Sequence, residues 1–289
     1  METDRYIAPR ISVRAYLRIL RYFLKRSYRY WSFFPVSWTI QVINLIAQLA
    51  LYFLIAIMLG ETAQEYLRPY GGNYVAFVIT GLAFNQYLNI ALTNPQTEIA
   101  NAYWNGYLEM YLLCPVSFPF FLLGTAIFSF IHTTIYALIY ILCGVFLFGV
   151  TFQVGLNILW AFIVLVLAVI AVSGLGLIGA STFSFLEAKS WGQNPVTWIV
   201  GMLVSLVSGM YYPIEIMPQW LQKLAYVLPH YYAYDGMRRA LLGGETIVTL
   251  FPQILTLLLM CFITVPIGWY LFKMSLEKSR LDGNLSRWA

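Results

Sequence analysis

The chain has 289 residues, 61% hydrophobic and 10% charged, with a formal net charge of +5 and a mean hydropathy of +0.73. Soluble globular chains carry about 25% charged residues, so a soluble fold is excluded and a polytopic membrane protein is implied. Cys114, Cys143 and Cys261 lie in or beside apolar runs with no CxxC or metal spacing, and His132 and His230 are far apart, so neither a disulfide framework nor a metal site is indicated.

Residues 1–31 do not read as a signal peptide, because their apolar stretch follows a long basic region and lacks a small-residue cleavage pattern. They read as an amphipathic helix. Arg10, Arg14, Arg18, Arg21, Lys25 and Arg29 are spaced four, four, three, four and four, which confines them to an arc of about 100°. Val13, Tyr16, Leu17, Ile19, Leu20, Phe23 and Leu24 lie opposite. Such a helix rests in the plane of the inner interface, with its basic face toward anionic headgroups or an acidic partner. The same charges also serve as a plain positive-inside signal.

Six apolar spans follow, at 35–59, 73–93, 118–147, 156–183, 195–212 and 248–272; most reach the roughly 20 residues needed to cross a bilayer. Between the first two lies a short polar loop, 61–72. The charge-free run 110–186 is split by a turn at 148–155. Ser173, Gly174, Gly176, Gly179 and Ala180 would let another helix approach the fourth span closely. An even number of spans puts both termini on one side. Thirteen Lys and Arg fall on that side and four, Arg68, Lys223, Arg238 and Arg239, on the other, so both termini are expected in the cytoplasm.

The segment 94–117 is then cytoplasmic, and its only charges are Glu98 and Glu109. Gly106 stands where a helical run from 96 to 105 should stop, because glycine accepts the left-handed conformation that ends helices. Pro115 sets the start of the third span. A short helix joined rigidly to two spans could pass a push from a soluble motor into the membrane. The plainer reading is a polar turn between spans.

In the segment 208–244, Pro213, Pro218 and Pro229 each forbid a continuous helix. Yet Trp220, Leu221, Leu224 and Leu228 recur at helical spacing, and Tyr231, Tyr232 and Tyr234 crowd the next piece. Two short helices dipping into the interface account for this. Broken backbone at that depth must pack against protein or line a wet cavity. A hydrophobic outer loop is the plainer alternative. Asp235 precedes Arg238 and Arg239 by three and four residues, so they share a helix face and can pair. The cluster is expected to fix the second short helix and to lie near a cargo exit, with the arginines in reach of lipid phosphates. An ordinary exposed pair would be worth only about 0.3 to 0.5 kcal/mol.

Both segments resemble the ABC type-2 export permeases. In the second, the resemblance rests on Ser208 and Gly209 before Tyr211, Tyr212 and Pro213, then Pro218, Trp220 and Leu221, then Leu228, Pro229 and the Tyr-rich start with Tyr231. In the first, it rests on Glu98 followed by Gly106, Leu108, Glu109, Leu112, Pro115, Val116 and Ser117. Tyr107 and Cys114 depart mildly, since family members usually have Thr at the first position and Thr or Ala at the second.

The resemblance implies an all-α polytopic fold with six transmembrane helices. Residues 1–31 would be the interfacial helix, 32–289 the transmembrane domain, 94–117 a coupling loop docking on a separate ATPase, and 213–245 an outward re-entrant hairpin. Glu98, Gly106, Leu108, Glu109, Leu112 and Pro115 would carry the coupling. Two ATPase copies would bind ATP and Mg, with no cofactor in this chain, and a second permease copy would complete a homodimer in the plasma (inner) membrane. Other partners would be membrane lipids and the cargo, with no nucleic acid. The cargo would be an amphipathic small molecule, such as a drug or natural product, or a lipid-linked substrate. A polysaccharide or glycolipid exporter is the same-class alternative, and a motor-independent secondary carrier or membrane lipid enzyme the alternative from other classes. The path is expected between the two copies, because a single apolar bundle offers no evident polar channel.

The sequence lacks Gly-x-x-x-x-Gly-Lys-Ser/Thr, HExxH, paired carboxylates within the spans and a Gly-x-Ser-x-Gly turn. His132, beside Thr133 and Thr134, is read as a neutral histidine hydrogen-bonded across helices, because no span holds an acidic partner.

Overall fold

The computed structural model describes residues 35–59, 64–113, 118–185 and 194–281, together with Arg18, Arg21, Tyr22, Lys25, Tyr28 and Arg29. No strand occurs among the described residues. Apolar runs flanked by short polar turns produce α1 (Pro35–Leu59), α2 (Gln64–Leu67), α3 (Tyr74–Trp104), α4 (Leu108–Leu113) and α5 (Phe118–Phe148). They are followed by α6 (Asn157–Phe185), α7 (Pro195–Val207), α8 (Gln219–Ala225), α9 (Pro229–Leu241) and α10 (Ile247–Leu281). Five of these helices, α1, α3, α5, α6 and α10, are long and apolar enough to cross a membrane.

Three boundaries differ from those expected. The second span was expected to stop at residue 93, but α3 continues through Pro95 to Trp104. Proline offers no N–H to the carbonyl of Ala91 one turn earlier. That carbonyl faces Gly176 of α6, where a Cβ would lie only 2.6 Å from its oxygen. A neighbouring helix thus shields the gap, which is how membrane helices tolerate interior proline.

The fifth span was expected to run to 212, but α7 ends at Val207 after 13 residues. At 1.5 Å per residue that is about 20 Å, short of a hydrocarbon core of about 30 Å. The helix stops because Gly209 turns left-handed, with φ 74°, and because the carbonyls of Gly209 and Met210 are directed to Arg238. The last helix, by contrast, runs beyond residue 272 to Leu281.

The hub is α6. Its most extensive partner is α10, and contact is set by glycine. A Cβ on Gly174 would lie 2.5 Å from the backbone carbon of Thr264, and one on Gly268 would strike the Gly174 carbonyl. The close approach lets Thr264 Oγ1 donate to the Ala171 carbonyl at 2.8 Å and Cys261 Sγ to the Leu167 carbonyl at 3.2 Å. One turn further along, Gly179 accommodates Thr197 of α7, whose hydroxyl donates to Gln96 Oε1 of α3 at 2.8 Å. The small residues therefore serve three different neighbours, α10, α3 and α7.

Candidate functional site

At one end of the bundle, α3 closes on the Asn105 cap and Gly106 takes φ 75°. The Gly106 N–H donates to the Tyr103 carbonyl and the Tyr107 N–H to the Ala102 carbonyl, both at 3.0 Å. This pair of bonds is the glycine-terminated helix end. The chain re-enters a helix at once. Leu108, 2% exposed, packs with Ile99 and Tyr103 of α3, Phe121 of α5, Ala180 of α6 and Phe272 of α10. Glu98 is half-buried on α3, immediately before Ile99 of this cluster. The backbones of Glu109 and Leu112 lie within α4; their side chains, and Pro115, lie outside the described residues. So do Arg10 and Arg14, while Arg18, Arg21, Lys25 and Arg29 are helical and exposed.

No atom lies within 4 Å of a Cβ built on Gly106, so a side chain there meets only the conformational penalty of the left-handed region, about 1 kcal/mol. Gly106→Ala is therefore expected to insert normally and to melt slightly earlier in detergent than the parent chain. An unchanged melting profile would mean that this turn carries no conformational constraint.

At the opposite end, Pro218 caps α8, and Pro229 occupies the first position of α9, where its missing N–H costs nothing. Along α9 the acid and the two arginines separate in function. Asp235, 3% exposed, accepts from Arg239 Nε at 2.9 Å, from the Tyr70 hydroxyl at 2.6 Å and from Gln253 Nε2 at 2.7 Å. Burial and the Asp235 carboxylate push the Tyr70 hydroxyl upward from its ordinary range, so it remains a proton donor. Asp235 thereby joins α9 to the turn after α2 and to the start of α10.

The pairing expected between Asp235 and Arg238 is not the one formed. Arg238 is 2% exposed and points the other way, donating through Nε to the Phe77 carbonyl at 3.0 Å and through its two terminal nitrogens to the Gly209 and Met210 carbonyls at 2.6 Å each. Its guanidinium also lies 3.4 Å from the Phe77 ring centroid, so carbonyl dipoles and a π face take the place of water. Burial pushes its pKa down to about 10, which leaves it cationic at neutral pH. Gly81 supplies the space, since a Cβ there would strike the guanidinium and approach the Met210 carbonyl to 2.6 Å.

Arg238 therefore cannot reach lipid phosphates, contrary to expectation; it staples α3 to the broken backbone after α7. The void bounded by Pro213, Tyr231, Asp235 and Arg238 measures about 10 Å³, room for one water at most. Tyr212 bonds back to the Leu206 carbonyl, and Trp220 on α8 is 65% exposed, away from the clamp. His230 is buried and burial pushes its imidazole down to about 3, so it is neutral.

A third feature lies between α1, α3 and α5, where no internal polar space was expected. Gln41, Asn44 and Gln48 occupy one face of α1, at i, i+3 and i+7, and Gln86 and Asn89 face them from α3. From α5 come His132, Thr133, Tyr136 and Tyr140. Together they line a cavity of about 350 Å³. The Tyr140 hydroxyl donates to Gln48 Oε1 at 2.9 Å, tying α5 to α1. His132 is packed edge-on against Tyr136, with ring centroids 4.8 Å apart. The lining holds no Asp, Glu, Lys or Arg. Ile90 also borders a second cavity of about 240 Å³, apolar, between α3, α5, α6 and Trp269 of α10.

Of the residues singled out from sequence, the structure gathers Asp235, Arg238, Arg239, Pro213 and Tyr231 at one end and Glu98, Gly106 and Leu108 at the other. It adds Tyr70, Phe77, Gly81 and Gln253 to the first group. The amide-lined cavity went unread because it has no charge to draw the eye and comes from three separate helices; its signal was the helical spacing of 41, 44 and 48. The family model described as ABC-2 family transporter protein matches residues 61–270. No match was found among curated proteins.

Proposed function

The chain belongs to the ABC-2 family of transporter proteins, whose permeases partner an ABC ATPase, and on that premise we propose that it is the membrane subunit of an ATP-driven exporter. The observation that carries this reading is the rigid turn between α3 and α4. A helix closed by Gly106, packed on α3 and α5 and joined through the buried Leu108 to a core that also includes residues of α6 and α10, is poorly placed to shift alone. Close-packed interiors transmit strain, so a push on α4 is delivered to four long helices at once.

The thirteen basic residues against four put α4 and both termini in the cytoplasm, where a soluble ATPase can dock on it. Residues 1–31 then lie on the inner face of the plasma membrane. The fifth crossing is made by α7 together with Ser208–Tyr212, α10 makes the sixth, and 213–245 forms an outward re-entrant hairpin between them. The clamp at Arg238 supports that placement, because it supplies protein partners for broken backbone at membrane depth. Two permease copies and two ATPase copies make the transporter, and the cargo is an amphipathic small molecule or lipid-linked substrate.

Glu109 is the charge on α4 best placed to meet a basic groove on the ATPase. Losing one partner of a buried interface pair costs about 2 kcal/mol or more, roughly thirtyfold in affinity. Glu109→Lys is therefore expected to insert and fold normally yet lose co-purification of the ABC ATPase that accompanies the tagged parent chain. Retention of the ATPase at parental stoichiometry would make the loop a mere connector.

A further inference from the structure

Amides inside a bilayer are costly unless water or a ligand meets them, and five of them converge on one cavity between α1, α3 and α5. The Tyr140 hydroxyl, bonded to Gln48 of α1 and within hydrogen-bonding reach of Gln86 of α3, ties the three walls together. At about 350 Å³ the space falls within the range of small-molecule sites, roughly 300 to 1,000 Å³. We propose that this cavity is a binding subsite for the uncharged, hydrogen-bonding head of an amphiphile, glycosyl or amide in kind, a reading that rests on the chain being a permease.

The chemistry of the lining selects the class. The lining carries no Asp, Glu, Lys or Arg to balance a charged head, and a charge taken out of water without an opposite partner costs more than a neutral polar group. Gln and Asn offer both donors and acceptors, which match a head carrying hydroxyls or amides. Thr133 and Tyr136 extend the polar wall on α5. The apolar part of the ligand has a place beside it, since Ile90 borders both this cavity and the apolar one that ends at Trp269. A site open on one face of each copy, where Gln41, Asn44 and Asn89 are exposed, is thus added to any path between copies.

The test uses the full chain in lipid nanodiscs without ATP, with a diazirine-bearing octyl glucoside as probe and mass spectrometry to map the adducts. Adducts are expected on the facing residues of α1, α3 and α5. Unlabelled octyl glucoside should suppress them at about tenfold lower concentration than octyl phosphate or octyltrimethylammonium, as a head without its polar match leaves buried groups unpaired.

Gln86→Leu with Asn89→Leu should weaken labelling about tenfold. Gln41→Leu with Asn44→Leu, on exposed positions of the loosely packed α1, should do the same and keeps the test valid if the first pair fails to fold. Labelling spread evenly over lipid-facing helices, equal competition by the charged amphiphiles, indifference to the leucines, or a change only in copy association would each overturn the subsite. Because no ATPase is present, the outcome is separable from the permease reading: specific labelling with no ATPase coupling would sink that reading and leave the subsite standing.

Discussion

Arg238→Ala is expected to destabilise the chain by about 3 kcal/mol or more, because buried carbonyls left without a donor cost roughly 1 to 3 kcal/mol each and the missing side chain leaves a cavity. The guanidinium satisfies three carbonyls, two of which, Gly209 and Met210, belong to backbone outside any helix. Without it they face protein with no donor, and a niche remains beside Phe77 and Gly81. Arg238→Lys should recover little, because a point charge cannot reproduce the planar fork that reaches three acceptors. Arg239→Ala should be far milder: its side chain is 32% exposed, and Tyr70 and Gln253 still hold Asp235. Thermal unfolding in detergent, followed by the change in exposure of the half-buried Cys143 and Cys261, ranks the three. Equal losses for Arg238→Ala and Arg239→Ala would deny the staple its separate role.

Gly174→Val is expected to cost about 3 kcal/mol or more, at the upper end of overpacking penalties, because the new side chain meets backbone and not a flexible tip. Its Cβ alone would lie 2.5 Å from the backbone of Thr264. Separating α6 from α10 also breaks the bonds from Thr264 to Ala171 and from Cys261 to Leu167. Gly201 of α7 is the control, since nothing lies within 4 Å of a Cβ there. Gly201→Ala should be neutral or slightly stabilising by helix propensity. A valine at 174 that melts like the parent would show that the two helices are not held at glycine distance.

Length and hydropathy made much of the fold legible. The first apolar run was bounded at Pro35 and Leu59, where α1 begins and ends. The third and fourth runs fell within two residues of α5 and α6. Gly106 was placed correctly because the left-handed requirement is local. What failed was non-local. The second span was ended at residue 93, although the helix continues through Pro95 beside Gly176, eighty-one positions away in the chain.

The end of α7 depends on Arg238, which lies 29 residues beyond Gly209. Spacing put Asp235 on one face with both arginines, and three- and four-residue offsets could not say which would pair. The carbonyls of Phe77, Gly209 and Met210 made that choice. The glycines of α6 were visible as a stripe, but a single helix cannot reveal that they serve three different partners. The amide cavity needed three helices to be seen together.

The central claim is that a rigid α4 receives the stroke of an ATPase and passes it into the bundle. The most direct measurement is ATP turnover by the co-purified ABC ATPase in lipid nanodiscs, with the permease present, absent, or carrying Glu109→Lys. The account predicts turnover that depends on the permease and falls toward the permease-free rate with Glu109→Lys. Turnover indifferent to the permease would contradict it.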